Sequence, residues 1–310
     1  MIESAAGSLE LPACTFDVSG TLVISKPITL IGSGTRATVI RSSAPIGVLV
    51  QPAAAISQGW WVDISRLRIE PKTVGQGQSA LVLRSTASTF ISQASLDRIY
   101  LGDFGGQGLV LDNSAANPNG IFSVKVLHSW ISNGVKGIKI GDNIAFTGNT
   151  LTDGLSKRAN KAGALPGFDL TMVPGARGPF LFFNSISTSG GGIVADGTNG
   201  LKAIGNFFEY QGFYGVPFET QVAGLVQISN SHSVSFRDNV FNPQNSGARF
   251  SLALNNVSLS VLDSNEFSGP GAEGDIAFIG TSARNKLTGL NVFQGDTNGK
   301  ILNAATGLAP

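Results

Sequence analysis

Six short segments of the chain share one pattern, an asparagine followed two residues later by a large apolar residue. They are Asn149 with Leu151, Asn184 with Ile186, Asn206 with Phe208, Asn239 with Phe241, Asn265 with Phe267 and Asn291 with Phe293. A sequence that repeats itself in this way folds by stacking copies of one small unit, so the repeat constrains the architecture before any other feature does. Looser copies upstream put Ser65, Asp97 and Ser129 at the asparagine position, with Leu67, Ile99 and Ile131 two residues on. Successive anchors are 20 to 35 residues apart.

Within a unit the apolar residues alternate, as in Trp60 and Val62, Val124 and Val126, or Ile144 and Phe146 ahead of an anchor. A period of two means extended chain. A second alternating run precedes several of these, for example Leu109-Val110-Leu111 and Ile193-Val194-Ala195, set off by Gly, Asp, Asn or Ser. Each unit therefore reads as three short strands joined by tight turns. With no amphipathic helix between them, the units predict an all-β solenoid, a single-stranded parallel β-helix of about nine or more coils rising by about 4.8 Å each. The asparagine is expected at a sharp corner, with positive φ and its amide bonded to the same amide one coil above and below. Leu151, Ile186, Phe208, Phe241, Phe267 and Phe293 are expected to form one inward column. The units at Asn265 and Asn291 fit less cleanly, because the residues before them do not alternate well. The expected organisation is an opening coil over 1–45, a helix body over 46–300 and a tail over 301–310.

Composition agrees: 40 glycines in 310 residues, 13% charged and 42% hydrophobic residues suit a turn-dense β-protein with a long core. The net charge is +1 and no basic run exceeds Lys157-Arg158, which argues against nucleic acid and anionic membranes as partners. No apolar stretch approaches the about 18 residues of a membrane-spanning helix. The single cysteine, Cys14, has no internal disulfide partner and is expected to be a small buried packing residue. The first residues, Met1 to Ala6, lack the basic and apolar regions of a signal peptide. That leads to the expectation of a protein released by another route, such as a virion component freed by lysis.

The segment Gly7-Ser8-Leu9-Glu10-Leu11-Pro12, followed by Gly20 through Gly32 and Thr38-Val39-Ile40, resembles the opening coil of pectate-lyase-like right-handed β-helices. That group includes pectin-degrading lyases and bacteriophage tailspikes. No cluster of aspartates with a matching Arg or Lys resembles the calcium and base site of the lyases, so the resemblance leans to the tailspikes. It implies a right-handed helix, a homotrimer on a phage tail or otherwise extracellular, and a bacterial surface polysaccharide as the partner that is bound and often cleaved. No cofactor is implied.

Unit lengths point to a site. The spacings from 149 to 184 and from 206 to 239 exceed their neighbours by roughly ten residues, and long loops on a rigid scaffold are where function usually sits. Both surpluses follow the third strand of a unit and are expected to wall a groove. Counting from the anchors, the outward residues of that strand form one column of Arg68, Tyr100, Ser132, Thr152, Ser187, Glu209, Asn242, Ser268 and Gln294. The other column holds Arg66, Arg98, Trp130, Thr150, Ser185, Phe207, Val240, Glu266 and Val292. Hydroxyls and amides beside Tyr100, Trp130, Phe207, Tyr210 and Tyr214 suit a glycan, which offers hydroxyls and flat apolar ring faces. An ordinary solvated β-face carries the same residue types.

Glycosidic cleavage needs two carboxyls. Glu209 is the leading candidate for the acid, outward at the foot of the second insertion with Phe207 and Tyr210 alongside. Its partner is open among Glu266, Glu219, Asp169 and Asp153. Lys157 and Arg158 are candidates for substrate binding, and Lys157, Arg158 or Lys161 for neutralising a uronate in a lyase reaction. Three readings follow: a hydrolytic depolymerase, a spike that binds without cleaving, and a polysaccharide lyase. Asp112, Asp142 and Asp196 read as turn residues. His128 and His232 fall in different units with no triad or zinc spacing, and no metal site is expected.

Overall fold

The computed structural model describes residues 7–53, 59–117, 120–132, 134–138, 144–152, 168–172, 174–188, 191–210, 224–243, 250–268, 274–294 and 301–303. The chain divides into two compact units, Met1–Thr152 and Asp153–Pro310. Each is a right-handed parallel β-helix, whose coils contribute one strand in turn to a first, a second and a third sheet. Among the described residues no helix is long and apolar enough to cross a membrane.

In the first unit the first sheet runs from Gly7–Glu10 to Ala145–Thr147, the second from Thr15–Val18 to Thr150–Thr152, and the third from Leu22–Ile24 to Val135–Ile138. Residues 7–45 already supply regular strands: Gly7–Glu10 pairs with Ile28–Ile31 and Thr15–Val18 with Val39–Ser42. Alternation decides the faces. In Trp61–Ser65 the buried residues are Val62 and Ile64, and in Arg68–Pro71 Ile69 points inward. The third sheet differs, because Ala80, Leu81, Val82 and Leu83 are consecutive and all buried, as expected of a parallel strand covered on both faces.

In the second unit the first sheet runs from Phe180–Phe182 to Lys286–Thr288, the second from Ser185–Thr188 to Val292–Phe293, and the third from Phe168–Met172 to Ile301–Asn303. The expected inward column is present. Phe208, Phe241, Phe267 and Phe293 stack with ring centroids 5.0, 4.9 and 5.1 Å apart, and only Phe293, on the final coil, is half-exposed. The asparagine ladder is present too. The Nδ2 groups of Asn184, Asn206, Asn239 and Asn265 donate to the Oδ1 of the next asparagine at 2.9, 3.0, 3.0 and 3.2 Å. Each Oδ1 also accepts the backbone N–H of the preceding asparagine, so one amide closes the corner and ties two coils together.

Several expectations are corrected. The positive φ falls on the residue before the asparagine, at Gly148, Phe183, Gly205, Asp238 and Ser264, because the chain turns there and the asparagine side chain must point inward to reach the next coil. Strand pairing aligns Arg68 with Tyr100 and Tyr100 with Trp130, so Leu67 and Ile99, not Ser65 and Asp97, share the corner position with Ser129 and Asn149. An apolar residue fills that corner where no amide ladder passes. The unit at Asn265 is regular, with Leu262 inward and Ser260 buried. At Asn291 the extra corner residue Leu290, after Gly289, shifts the alternation. Cys14 is exposed, in the turn between Gly7–Glu10 and Thr15–Val18. Asp169 lies in the strand Phe168–Met172 of the third sheet, not in a loop, and Ile301–Asn303 of the expected tail is a strand.

Candidate functional site

The outward residues of the second sheet in the first unit include Arg68, Tyr100, Trp130 and Thr150, while Ile69, Leu101, Ile131 and Leu151 point into the core. Parallel, in-register pairing puts like positions directly above one another, so aromatic residues there stack. The Arg68 guanidinium lies 4.2 Å from the centroid of the Tyr100 ring, and Tyr100 and Trp130 stack at 6.2 Å with planes 24° apart. Arg68 is fixed by Glu70 at 2.6 Å and Asp103 at 3.1 Å, and Glu70 also holds Arg41 at 2.9 Å. The hydrogen bond that Arg41 Nε donates to Glu70, helped by the carboxylate charge, keeps the Arg41 guanidinium more firmly protonated than usual. Trp130 is 46% exposed. One indole face meets Tyr100, and the matching position on the next coil holds the small residue Thr150. The result is a flat apolar step flanked by fixed ionic groups.

Beside this column runs the corner between the first and second sheets. Arg66, Arg98 and His128 occupy it in three successive coils, with φ of 55°, 51° and 48°. Their backbone N–H groups donate to Asp97, Leu127 and Thr147 of the following coil. Asp97, at the end of Gln93–Asp97, accepts from Arg98 Nε at 2.9 Å and lies 3.1 Å from His128 Nδ1. Burial pushes the Asp97 carboxyl up, but the hydrogen bonds from His128 and Arg98 and their charges outweigh it and hold the group below its ordinary value. Counted from the sequence anchors alone, Arg66 and Arg98 share one column with Trp130. The two-residue shift found in the fold makes them its neighbours instead. The signal that separates them is the set Arg66-Leu67-Arg68, Arg98-Ile99-Tyr100 and His128-Ser129-Trp130, aligned on the buried middle residue.

In the second unit Glu209 and Phe207 are outward on the strand Phe207–Tyr210 and half-buried. Ser187 Oγ donates to Glu209 Oε2 at 3.2 Å, and Glu209 pairs with Asn242 on the next coil. Glu266 pairs with Val240, a different column, and accepts from Ser268 at 3.0 Å. Two coils and two residues separate Glu209 from Glu266, about 12 Å between Cα atoms. Glycosidase carboxyls stand roughly 5 to 9.5 Å apart, so the two side chains would have to lean together to act as a pair. Tyr210 ends the same strand as Glu209. Glu219, Asp153, Tyr214, Lys157, Arg158 and Lys161 lie outside the described residues. Both insertions begin after a strand of the second sheet, Thr150–Thr152 and Phe207–Tyr210. Asp112 and Asp196 engage Arg84 at 2.7 Å and Asn230 at 2.7 Å. Among the described residues no group of three or more His, Cys, Asp or Glu is placed to hold a metal ion.

No protein-family model matches the chain, and no curated protein does. Among solved structures, the mannuronan C-5 epimerase AlgE4 A-module of Azotobacter vinelandii is similar with a TM-score of 0.54 at 12% identity, over 97% of this chain and 91% of that one. Geobacillus virus E2 ORF18 is similar with a TM-score of 0.49 at 13% identity, over 98% of this chain and 53% of that one. Tailspike protein 3 of bacteriophage CBA120 has a TM-score of 0.44 at 13% identity, over 97% and 56%. The chain spans about half the length of the two viral proteins. Identities this low show a shared parallel β-helix fold.

Proposed function

We propose that the chain is a polysaccharide-binding β-helix of the tailspike kind, carried on a phage tail, which holds a bacterial surface glycan against the outer face of its second sheet. The observation that carries this reading is the Arg68–Tyr100–Trp130 stack. A rigid sheet presents a partly exposed indole there, and the ionic groups around it are locked by Glu70 and Asp103. Sugars bind such surfaces through ring faces on aromatic carbons and hydroxyls on fixed polar groups. Trp130→Ala is expected to weaken glycan binding on the order of tenfold, about 1.4 kcal/mol, with little change in melting temperature. Unchanged affinity in a titration against host surface polysaccharide would remove this face from the reading.

Hydrolysis is the second reading, favoured by the outward, half-buried Glu209 with its hydroxyl partner Ser187. In it Glu209 protonates the leaving oxygen, and a second carboxylate, Glu266 or Glu219, activates water or attacks. Glu209→Gln keeps the shape and removes the titrating proton, so cleavage should slow by about two or more powers of ten while binding persists. Release of reducing ends without ultraviolet absorbance marks hydrolysis, and unsaturated products mark a lyase. If Glu209→Gln cleaves like the parent, or neither cleaves, binding alone remains.

A further inference from the structure

We propose that the corner carrying Arg66, Arg98 and His128 binds the acid groups of an anionic polysaccharide, whose sugar ring rests on the free face of Trp130. The inference rests on the reading of the second sheet as a glycan-binding face and names the class of glycan.

The corner itself calls for none of these side chains. Its backbone is left-handed, the conformation that glycine adopts without strain, and glycine holds the same position at Gly148 and Gly205. A large basic residue at positive φ is the uncommon choice, and it occurs in three consecutive coils. Those are the coils that carry Arg68, Tyr100 and Trp130 two residues further on. Charge is left over. Asp97 is engaged by Arg98 and His128, and Glu70 and Asp103 by Arg41 and Arg68, whereas Arg66 has no ion-pair partner among the described residues. The Arg98 and His128 side chains are 65% and 62% exposed, so their remaining donors face water. Stacking repeats this column at about 4.8 Å, close to the length of one pyranose ring. An acidic chain lying along the coils therefore meets a guanidinium on each of two successive coils and the imidazole N–H donor of His128 on the third, a match that a neutral glycan does not use. Guanidinium groups recognise carboxylate through paired, charge-assisted hydrogen bonds. The step beside Trp130, where the matching position on the next coil holds the small residue Thr150, receives the ring.

The test titrates the full chain with short oligogalacturonates and oligomannuronates, maltooligosaccharides of equal length, inorganic phosphate and a single-stranded oligonucleotide. Arg66→Asn/Arg98→Asn is the first variant, because asparagine tolerates the left-handed corner, and Trp130→Ala is the second. Cooperative melting curves establish that both fold, with the double variant's shifted down by no more than that of Asp97→Asn, which loses the same Arg98–Asp97 pair. The expected result is a preference for the acidic over the neutral sugars of at least about tenfold, weakened by salt and abolished in the double variant. Trp130→Ala should weaken both sugar classes. Equal binding of acidic and neutral sugars, or a double variant that keeps the preference, overturns the inference and leaves glycan binding standing. Phosphate or the oligonucleotide binding as tightly as the uronates overturns it in favour of a general anion site. Binding of no saccharide at all removes both this inference and the glycan reading of the face.

Discussion

Asp97 sits where burial pulls against hydrogen bonds and charge, and the hydrogen bonds from His128 and Arg98, with their charges, win, leaving its carboxyl below its ordinary value. A group depressed in the folded state adds stability above its unfolded pKa of about 3.9, and that stability is lost as pH falls through the folded value. Asp97→Asn should therefore lower the melting temperature above about pH 5, and the gap to the parent should close as pH falls below the ordinary carboxylate value of about 3.9. A gap of constant size down to pH 2 would mean that the ion pairs contribute nothing. Phe208 is a different case, fully buried and stacked on Phe241. Truncation to alanine leaves a cavity that a neighbouring rigid coil cannot fill, and Phe208→Ala should cost about 3 to 5 kcal/mol in urea unfolding. A loss under about 1 kcal/mol would show that the column tolerates collapse.

At the level of the element, the corner is the piece that changes along the chain. In the first unit Leu67 and Ile99 fill it by packing, and in the second an amide ladder fills it by hydrogen bonding. The two solutions do not mix well, because an apolar residue inside the ladder strands its neighbours. The Asn239 Oδ1 accepts from Asn206 twice, and its Nδ2 donates to Ala203 and Asn265. Each buried group left unsatisfied costs about 1 to 3 kcal/mol, so Asn239→Leu should destabilise strongly although leucine serves at Leu67. Asn291→Leu, at the half-buried end of the ladder, should cost much less. Equal losses at the two positions would show that the ladder does not act as a connected element.

For the whole molecule, the proposed reading as a spike carries the expectation of three copies. The last described coil of the second unit also exposes Leu287, Leu290, Val292, Ile301 and Leu302. Light scattering should give the mass of a trimer, and a stable monomer at micromolar concentration would count against both the trimer and the phage-tail reading. Trp130→Ala should leave that mass unchanged, because the residue is assigned to glycan rather than to a neighbouring copy.

The sequence by itself determined the solenoid, its three strands per coil, the aromatic column and the asparagine corner from Asn149 onward. These depend on local alternation and on a repeated residue, both visible in one dimension. Glu209, Tyr100, Trp130 and Phe207 were legible as outward residues for the same reason. Only the tertiary structure decided the register of the upstream coils. A two-residue slip keeps the alternation intact, so Ser65 and Leu67 are equally good anchors until parallel pairing sets Arg68 beside Tyr100 and Tyr100 beside Trp130. That slip hid the corner formed by Arg66, Arg98 and His128. Which residues become neighbours across coils depends on the length of every turn between them, and turn length carries no periodic signal.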